Sequence, residues 1–182
     1  MHREGFEALS GVDPLIKQDI VYRCGLRIQK KQIEELGESY DLIMLHHSFE
    51  HMTQPLSVLK ALRRILRGDG QLILRIPLVD CHACRKYGAC WVQLDAPRHY
   101  YLQTVRSIHI QCGEAGFEIS DIEYDSGAMQ FAASEKYLRD IALVEDRDPC
   151  SKKQHRLFKA EARRLNAIRD GDSACFYLRP RS

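Results

Sequence analysis

The sequence predicts an α/β fold built on parallel strands, and three observations carry that expectation. Tyr40 to His46 is a short apolar run of the kind a strand buried on both faces needs. Leu59, Leu62 and Leu66, with Val58 and Ile65 beside them, recur at helical spacing. Gln71 to Pro77 reads as a second buried strand, entered through Gly68-Asp69-Gly70, whose tolerance of positive φ ends the helix. Two parallel strands joined through one helix form the right-handed crossover of doubly wound sheets. Ligands of such sheets sit outside the carboxyl ends of the strands, and there the chain puts His46-His47-Ser48-Phe49-Glu50-His51.

The remaining elements follow in order. Glu7 to Val12 is expected as a short strand ending at Asp13-Pro14, with Pro14 at the first position of a helix over Leu15 to Tyr22 and Asp13 as its cap. Gly25 to Ile28 is expected as a short edge strand, and Lys30 to Gly37 as a polar connection with a helical turn. Lys60, Arg63, Arg64 and Arg67 face away from the apolar stripe of the helix that Pro55 opens, as on a solvated helix face. Asp80 to Tyr101 is a long segment rich in cysteine, aromatic and charged residues without periodicity, and such loops are often functional. Thr104 to Ala115 is a helix stopped at Gly116, and Phe117 to Tyr124 is a strand. Residues 125–170 form a helical insertion, with one helix over Gln130 to Val144 and a second over Ser151 to Arg169. The second presents Phe158, Ala162, Leu165 and Ile168 on one stripe. After the turn Asp170-Gly171-Asp172 the last strand runs from Ala174 to Leu178.

With 182 residues the chain is expected to be a single domain, residues 1–182. Lys and Arg number 27 against 25 Asp and Glu, so a net charge of +2 gives no electrostatic case for nucleic acid. No apolar run approaches the roughly 20 residues a membrane span needs, and the amino terminus lacks a signal-peptide apolar region, so a cytoplasmic protein is expected. Seven cysteines without an export signal read as reduced thiols. Cys81, Cys84 and Cys90 with His82 offer half of a zinc pattern, and only Cys112 and His99 are candidates for the rest, so no metal is assigned. His47 to His51 also spells the H-x-x-E-H phrase of inverted zinc proteases, but Pro55 leaves too little room for the helix that chemistry requires.

The succession Gly11-Val12-Asp13-Pro14, Tyr40-Asp41-Leu42-Ile43, Glu50-His51-Met52-Thr53-Gln54-Pro55 and Leu66-Arg67-Gly68-Asp69-Gly70 resembles the class I S-adenosylmethionine-dependent methyltransferases. The likeness is to their small-molecule branch, including the ubiquinone-biosynthesis type. Trp91, Pro97, Arg98 and His99 stand where that branch has a Trp and a Pro-Arg-His phrase. Gly116 to Ile119 is similar to the family's entry into its sixth strand, and Gly171 to Leu178 to its antiparallel seventh. The resemblance implies a Rossmann-like sheet, mostly parallel with an antiparallel last strand, and S-adenosylmethionine as cofactor. One departure accompanies it. The family's glycine-rich loop between first strand and first helix has no counterpart before Asp13, so the first strand is expected to be missing, with Met1 to Phe6 as the tail of the first helix.

Carried over residue by residue, the resemblance assigns Asp13 to the ribose hydroxyls, a task suited to an acceptor-only carboxylate; a helix cap is the other reading. His46, His47 and Ser48 are assigned to the cofactor. His51 and His99 are the candidate bases, needed only where the methyl acceptor must lose a proton, and for His51 a role in fixing the loop stands beside that. Glu50, Trp91, Arg98 and Tyr100 are assigned to the acceptor side, where flat rings and one cation suit an aromatic or acidic small molecule. Packing of Trp91 as the hydrophobic anchor of a lid is the second reading, compatible with the first. A divalent ion on His47, Glu50 and His51 matches only two of the three ligand types the ubiquinone-type enzymes use. The expected activity is methyl transfer to a small-molecule acceptor. The competing expectation is a non-catalytic remnant that keeps the sheet and acts as a binding or dimerisation module, with a homodimer as the partner state.

Overall fold

The structure is a computed structural model and describes residues 8–37 and 39–181. It divides into two compact units, Met1–Ser39 and Tyr40–Ser182. The expectation for Met1 to Phe6 lies outside the described residues.

In the first unit, β1 (Ser10–Val12) runs parallel to β3 (Arg27–Gln29), and β2 (Ile20–Val21) pairs antiparallel with β3, giving the order β1-β3-β2. The segment read as an edge strand is therefore the central one. No helix forms over Leu15 to Tyr22; turns and bends lead into β2 instead. Leu15 is 90% exposed, and without a core to bury one face the local helical preference of a short segment does not suffice. The Asp13 carboxylate still acts locally, accepting from the Leu15 N–H at 2.8 Å, so it closes a turn rather than capping a helix. A 3-10 turn at Ile33–Glu35 supplies the helical turn expected before Gly37.

The second unit holds a four-stranded sheet in the order β4-β5-β7-β6, formed by β4 (Tyr40–His46), β5 (Leu66–Pro77), β6 (Phe117–Tyr124) and β7 (Ser173–Pro180). β4 and β5 are parallel, as the crossover through α1 (Pro55–Ile65) requires. β7 lies between β5 and β6 and is antiparallel to both, so three strands run one way and the last is reversed. This is a mixed α/β fold. The helix ends without a glycine turn: β5 begins at Leu66, directly after α1, and the pairing shifts between Tyr40 and Leu42 so that residues 67–70 bulge past β4. β4 is also less buried than its apolar run suggests, with Leu45 buried and Met44 37% exposed, because it is the terminal strand of its sheet.

Leu72, Leu74 and Ile76 alternate along β5 with no exposed surface, and Leu59, Leu62 and Ile65 of α1 are buried with them. α3 (Val105–Glu114) starts with a reciprocal cap between Thr104 and Ser107 and ends at Gly116, whose φ of +83° is the left-handed stop the sequence anticipates. The 80–101 segment is ordered by short helices, α2 (His82–Tyr87) and two 3-10 turns, which lack the length to show a period. It packs on α4 (Met129–Tyr137) and α5 (Lys152–Ala167) in a second cluster built from Cys81, Ala83, Tyr87, Trp91, Phe131, Ala162 and Leu165. α4 is shorter than the helix expected to Val144. On α5, Ala162 and Leu165 are buried but Ile168 is 56% exposed, because the helix ends at Ala167.

Candidate functional site

β4 ends at His46, and His47 turns the chain with a positive φ of 48°, a conformation few non-glycine residues adopt. Its N–H is tied to the Arg75 carbonyl of β5 at 3.0 Å, so the bend starts from the sheet itself. A 3-10 turn at Phe49–His51 follows, with the Phe49 ring fully buried as its anchor. That anchor leaves Glu50 only 2% exposed and His51 at the surface.

The second wall comes from the 80–101 segment. Trp91 is 1% exposed and donates its indole N–H to Asp172 at 3.2 Å, and the Val92 N–H donates to Ser134 Oγ at 3.0 Å. Trp91 thus lies in the core. Past Asp95, whose φ is +35°, a cis peptide precedes Pro97, and the chain returns to the first wall: the Tyr100 N–H donates to the Glu50 carbonyl at 2.9 Å.

That return brings His99 against His51, with ring centroids 4.8 Å apart. Each imidazole is fixed by a backbone carbonyl, His51 Nδ1 to Arg98 at 2.9 Å and His99 Nδ1 to Gln93 at 2.8 Å. A carbonyl only accepts, so both Nδ1 atoms carry protons, and in the neutral form of each ring Nε2 is the atom with the lone pair. Asp95 Oδ2 lies 3.6 Å from His99 Nε2, while its carboxylate is engaged by the Arg98 guanidinium at 2.7 Å. Arg98 and Tyr100 point outward, the Tyr100 ring 60% exposed. The Glu50 carboxylate faces His47 Nδ1 at 3.5 Å, beyond hydrogen-bond range, and its Oε2 is buried with no hydrogen-bond partner.

A cleft of about 580 Å³ opens where α1 and α3 begin, lined by Thr53, Gln54, Pro55, Tyr101, Gln103 and Thr104 among others; neither His51 nor His99 lines it. Thr53 and Tyr101 are the second residues after His51 and His99. Of the sequence-assigned residues, the structure gathers Glu50, His51, His99, Arg98 and Tyr100 around one corner, with His47 adjoining. His46 is exposed at the strand end. Asp13 belongs to the first unit.

Two acidic residues escaped sequence reasoning. Asp95 stands three and four residues before Arg98 and His99, a spacing that signals their pairing. Asp172, read only as part of a turn, is buried. Burial raises its carboxyl above the usual range, opposed by the Trp91 hydrogen bond and by the charge of His47. The cysteine cluster is packing: Cys81 Sγ accepts from the Cys84 N–H at 3.3 Å, and burial pushes the thiols of Cys81 and Cys112 up to about 12.

A family model described as a methyltransferase domain matches residues 1–122. Among solved structures, an S-adenosylmethionine-dependent methyltransferase from Listeria monocytogenes, described as putative, matches 100% of this chain and 84% of its own at 11% identity and a TM-score of 0.58. One from Thermotoga maritima, described as a possible histamine N-methyltransferase, matches 94% of this chain and 72% of its own at 16% identity and a TM-score of 0.55. The chain spans only 34% of the mitomycin 7-O-methyltransferase MmcR and 58% of the [4+2]-cyclase SpnF, both at a TM-score of 0.52. No curated protein matches significantly. No helix among the described residues is long and apolar enough to cross a membrane. With the family model covering about two thirds of its length, and with the parallel β4–β5 crossover and the reversed last strand, this chain belongs to the class I S-adenosylmethionine-dependent methyltransferases.

Proposed function

We propose that the chain transfers a methyl group from S-adenosylmethionine to a small-molecule acceptor that carries an ionisable hydrogen. The observation that supports this most is the His51–His99 pair, two imidazoles with Nδ1 anchored and Nε2 lone pairs available at the carboxyl end of β4. In the proposed reaction one of those lone pairs takes the acceptor's proton. The acceptor's electron pair forms the new bond to the methyl carbon as the carbon–sulfur bond breaks, and S-adenosylhomocysteine leaves. Asp13 is proposed as the acceptor of the ribose hydroxyl hydrogen bonds, and His46, His47 and Ser48 as the cofactor floor. Glu50, Arg98 and Tyr100 are proposed on the acceptor side, with Trp91 holding the loop that presents them. Arg98 and Tyr100 suit an acidic or aromatic acceptor.

Calorimetric titration of the purified chain with S-adenosylhomocysteine tests the reading. One equivalent is expected to bind, and Asp13→Ala to weaken it about tenfold, about 1.4 kcal/mol. A silent titration sinks the proposal and leaves a non-catalytic binding module.

A further inference from the structure

We propose that the exposed face of α5 is a docking surface for the sugar–phosphate backbone of a nucleic acid. The net charge of +2 conceals an uneven distribution. Six of the 27 Lys and Arg, but only one of the 25 Asp and Glu, lie on α5, so the helix is strongly positive on a chain that is otherwise slightly acidic. That one acid, Glu161, is taken by the Arg164 guanidinium at 2.7 and 2.9 Å. Lys152, Lys153, Arg156, Lys159 and Arg163 are exposed, and none has an ion-pair partner among the described residues. Asp148, four residues before Lys152, is turned to His155 at 2.7 Å and to the Cys150 N–H at 2.9 Å.

Helix stability does not account for these cations. Lys152 and Arg156, and again Lys159 and Arg163, are like-charge pairs at i, i+4, and Arg156 and Lys159 are a like-charge pair at i, i+3; each is unfavourable. Lys152 and Lys153 also stand in the first turn, where no acidic residue offsets their repulsion by the helix dipole. A face built only for solvation alternates the sign of its charges instead. A bound polyanion turns each of those repulsions into an attraction.

The shape of the surface selects the occupant. At about 100° and 1.5 Å per residue, Lys152, Arg156, Lys159 and Arg163 fall within an arc of about 60° and span about 17 Å along the axis. A flat anionic membrane rewards a broad basic face with apolar side chains to insert, whereas the apolar stripe of α5 is committed to the core. Ala162 and Leu165 are buried, the Phe158 ring stacks on Phe131 at 5.3 Å, and Leu157 is the large apolar side chain of α5 left more than half exposed. That stacking and the reciprocal cap between Ser151 and Gln154 fix the rotation of the helix, so the row is held outward. Exposed Ala160 and Ala167 beside the row leave room for a strand to approach. A narrow row of fixed cations fits a linear run of phosphates, and phosphate contacts carry no base preference. This surface is separate from the histidine corner, and the proposal does not rest on methyl transfer.

The test is fluorescence anisotropy of a labelled oligouridylate of about 20 nucleotides and a DNA duplex of about 20 base pairs, titrated with the full chain between about 50 and 200 mM salt. With about four phosphates neutralised, log K is expected to fall against log salt with a slope of about −3 to −4. The fourfold variant Lys152→Gln, Arg156→Gln, Lys159→Gln and Arg163→Gln is expected to weaken binding at least about tenfold at the low-salt end and to flatten the slope. A fourfold variant with the same change of net charge elsewhere in this unit, Lys60→Gln, Arg106→Gln, Arg179→Gln and Arg181→Gln, is expected to bind nearly as the wild type does. All eight positions are exposed, so neither variant disturbs the core. Failure of both probes to bind at low salt, or equal loss in the two variants, overturns the surface. Polyglutamate that competes as effectively as the oligonucleotide, or binding confined to phosphatidylserine vesicles, overturns nucleic acid as its occupant.

Discussion

Each of the two units of this chain holds a small sheet, yet the sheets differ in strand length and in what holds them. In the second unit β5 and β7 pair over six successive positions, and Leu72, Leu74, Ile76, Phe176 and Leu178 have no exposed surface. In the first unit the strands are two or three residues long, and among residues 8–37 none is buried. Hydrogen-bond ladders of that length gain little without apolar burial behind them. The histidine corner therefore stands on the well-packed unit, with Phe49 and Trp91 as its anchors, whereas Asp13 stands on the weakly packed one.

The largest test of this contrast is Phe49→Ala. Removing a fully buried ring beneath the Glu50–His51 turn is expected to destabilise the second unit by about 3–5 kcal/mol in urea unfolding. A cost below about 1 kcal/mol would break the claim that packing holds the corner. Next is Gly171→Ala. A Cβ there would stand within 2.6 Å of Ser126 Oγ, the group that accepts from the Ser173 N–H and so secures the start of β7. A loss of about 1–3 kcal/mol is expected, with the β7 amides losing hydrogen-exchange protection first.

Smaller is the pH-dependent effect of Asp172→Asn, which keeps an acceptor for the Trp91 indole N–H. The folded-state pKa of Asp172 is raised, so the folded chain holds its proton more tightly than the unfolded chain does. The stability linked to that proton is fully present below the ordinary carboxylate range and is lost as pH rises through the raised folded value. The gap between variant and wild type should thus open on the alkaline side of that window and close at low pH. A pH-independent gap would contradict it. The smallest effect is Ile28→Ala in β3, expected to cost about 1 kcal/mol or less, because the side chain is only half-buried.

Much of the second unit was legible before any coordinates. Strands Tyr40 to His46 and Phe117 to Tyr124 agree with the sequence reading to the residue, and the helix opened by Pro55 shows the buried stripe its spacing implies. The first unit misled because Asp13-Pro14 is a strong helix-start signal, yet helix stability comes mainly from burying an apolar face, and this segment buries none. The same limit hid the bulge at residues 67–70. Gly68-Asp69-Gly70 signals a change of direction, but whether it ends a helix or bows out of a strand depends on the partner strand across from it.

The candidate site divides the same way. Its first half, His46 to His51, is contiguous and recognisable from strand, loop and residue type alone. Its second half is distant in sequence: composition marks the 80–101 loop as a candidate, but only the family's phrase links Trp91, Pro97, Arg98 and His99 to the first half. Periodicity and residue chemistry, both local, let the amino-acid order alone determine the α/β class, the β4–α1–β5 crossover and the histidine-rich end of β4. Only the tertiary structure decided that Glu50 is buried with its Oε2 unpaired, that Asp172 accepts from the Trp91 indole, and that His99 is placed against His51 by the Tyr100–Glu50 backbone bond. Burial and pairing between residues distant in the chain arise when the chain packs, and no local pattern records them.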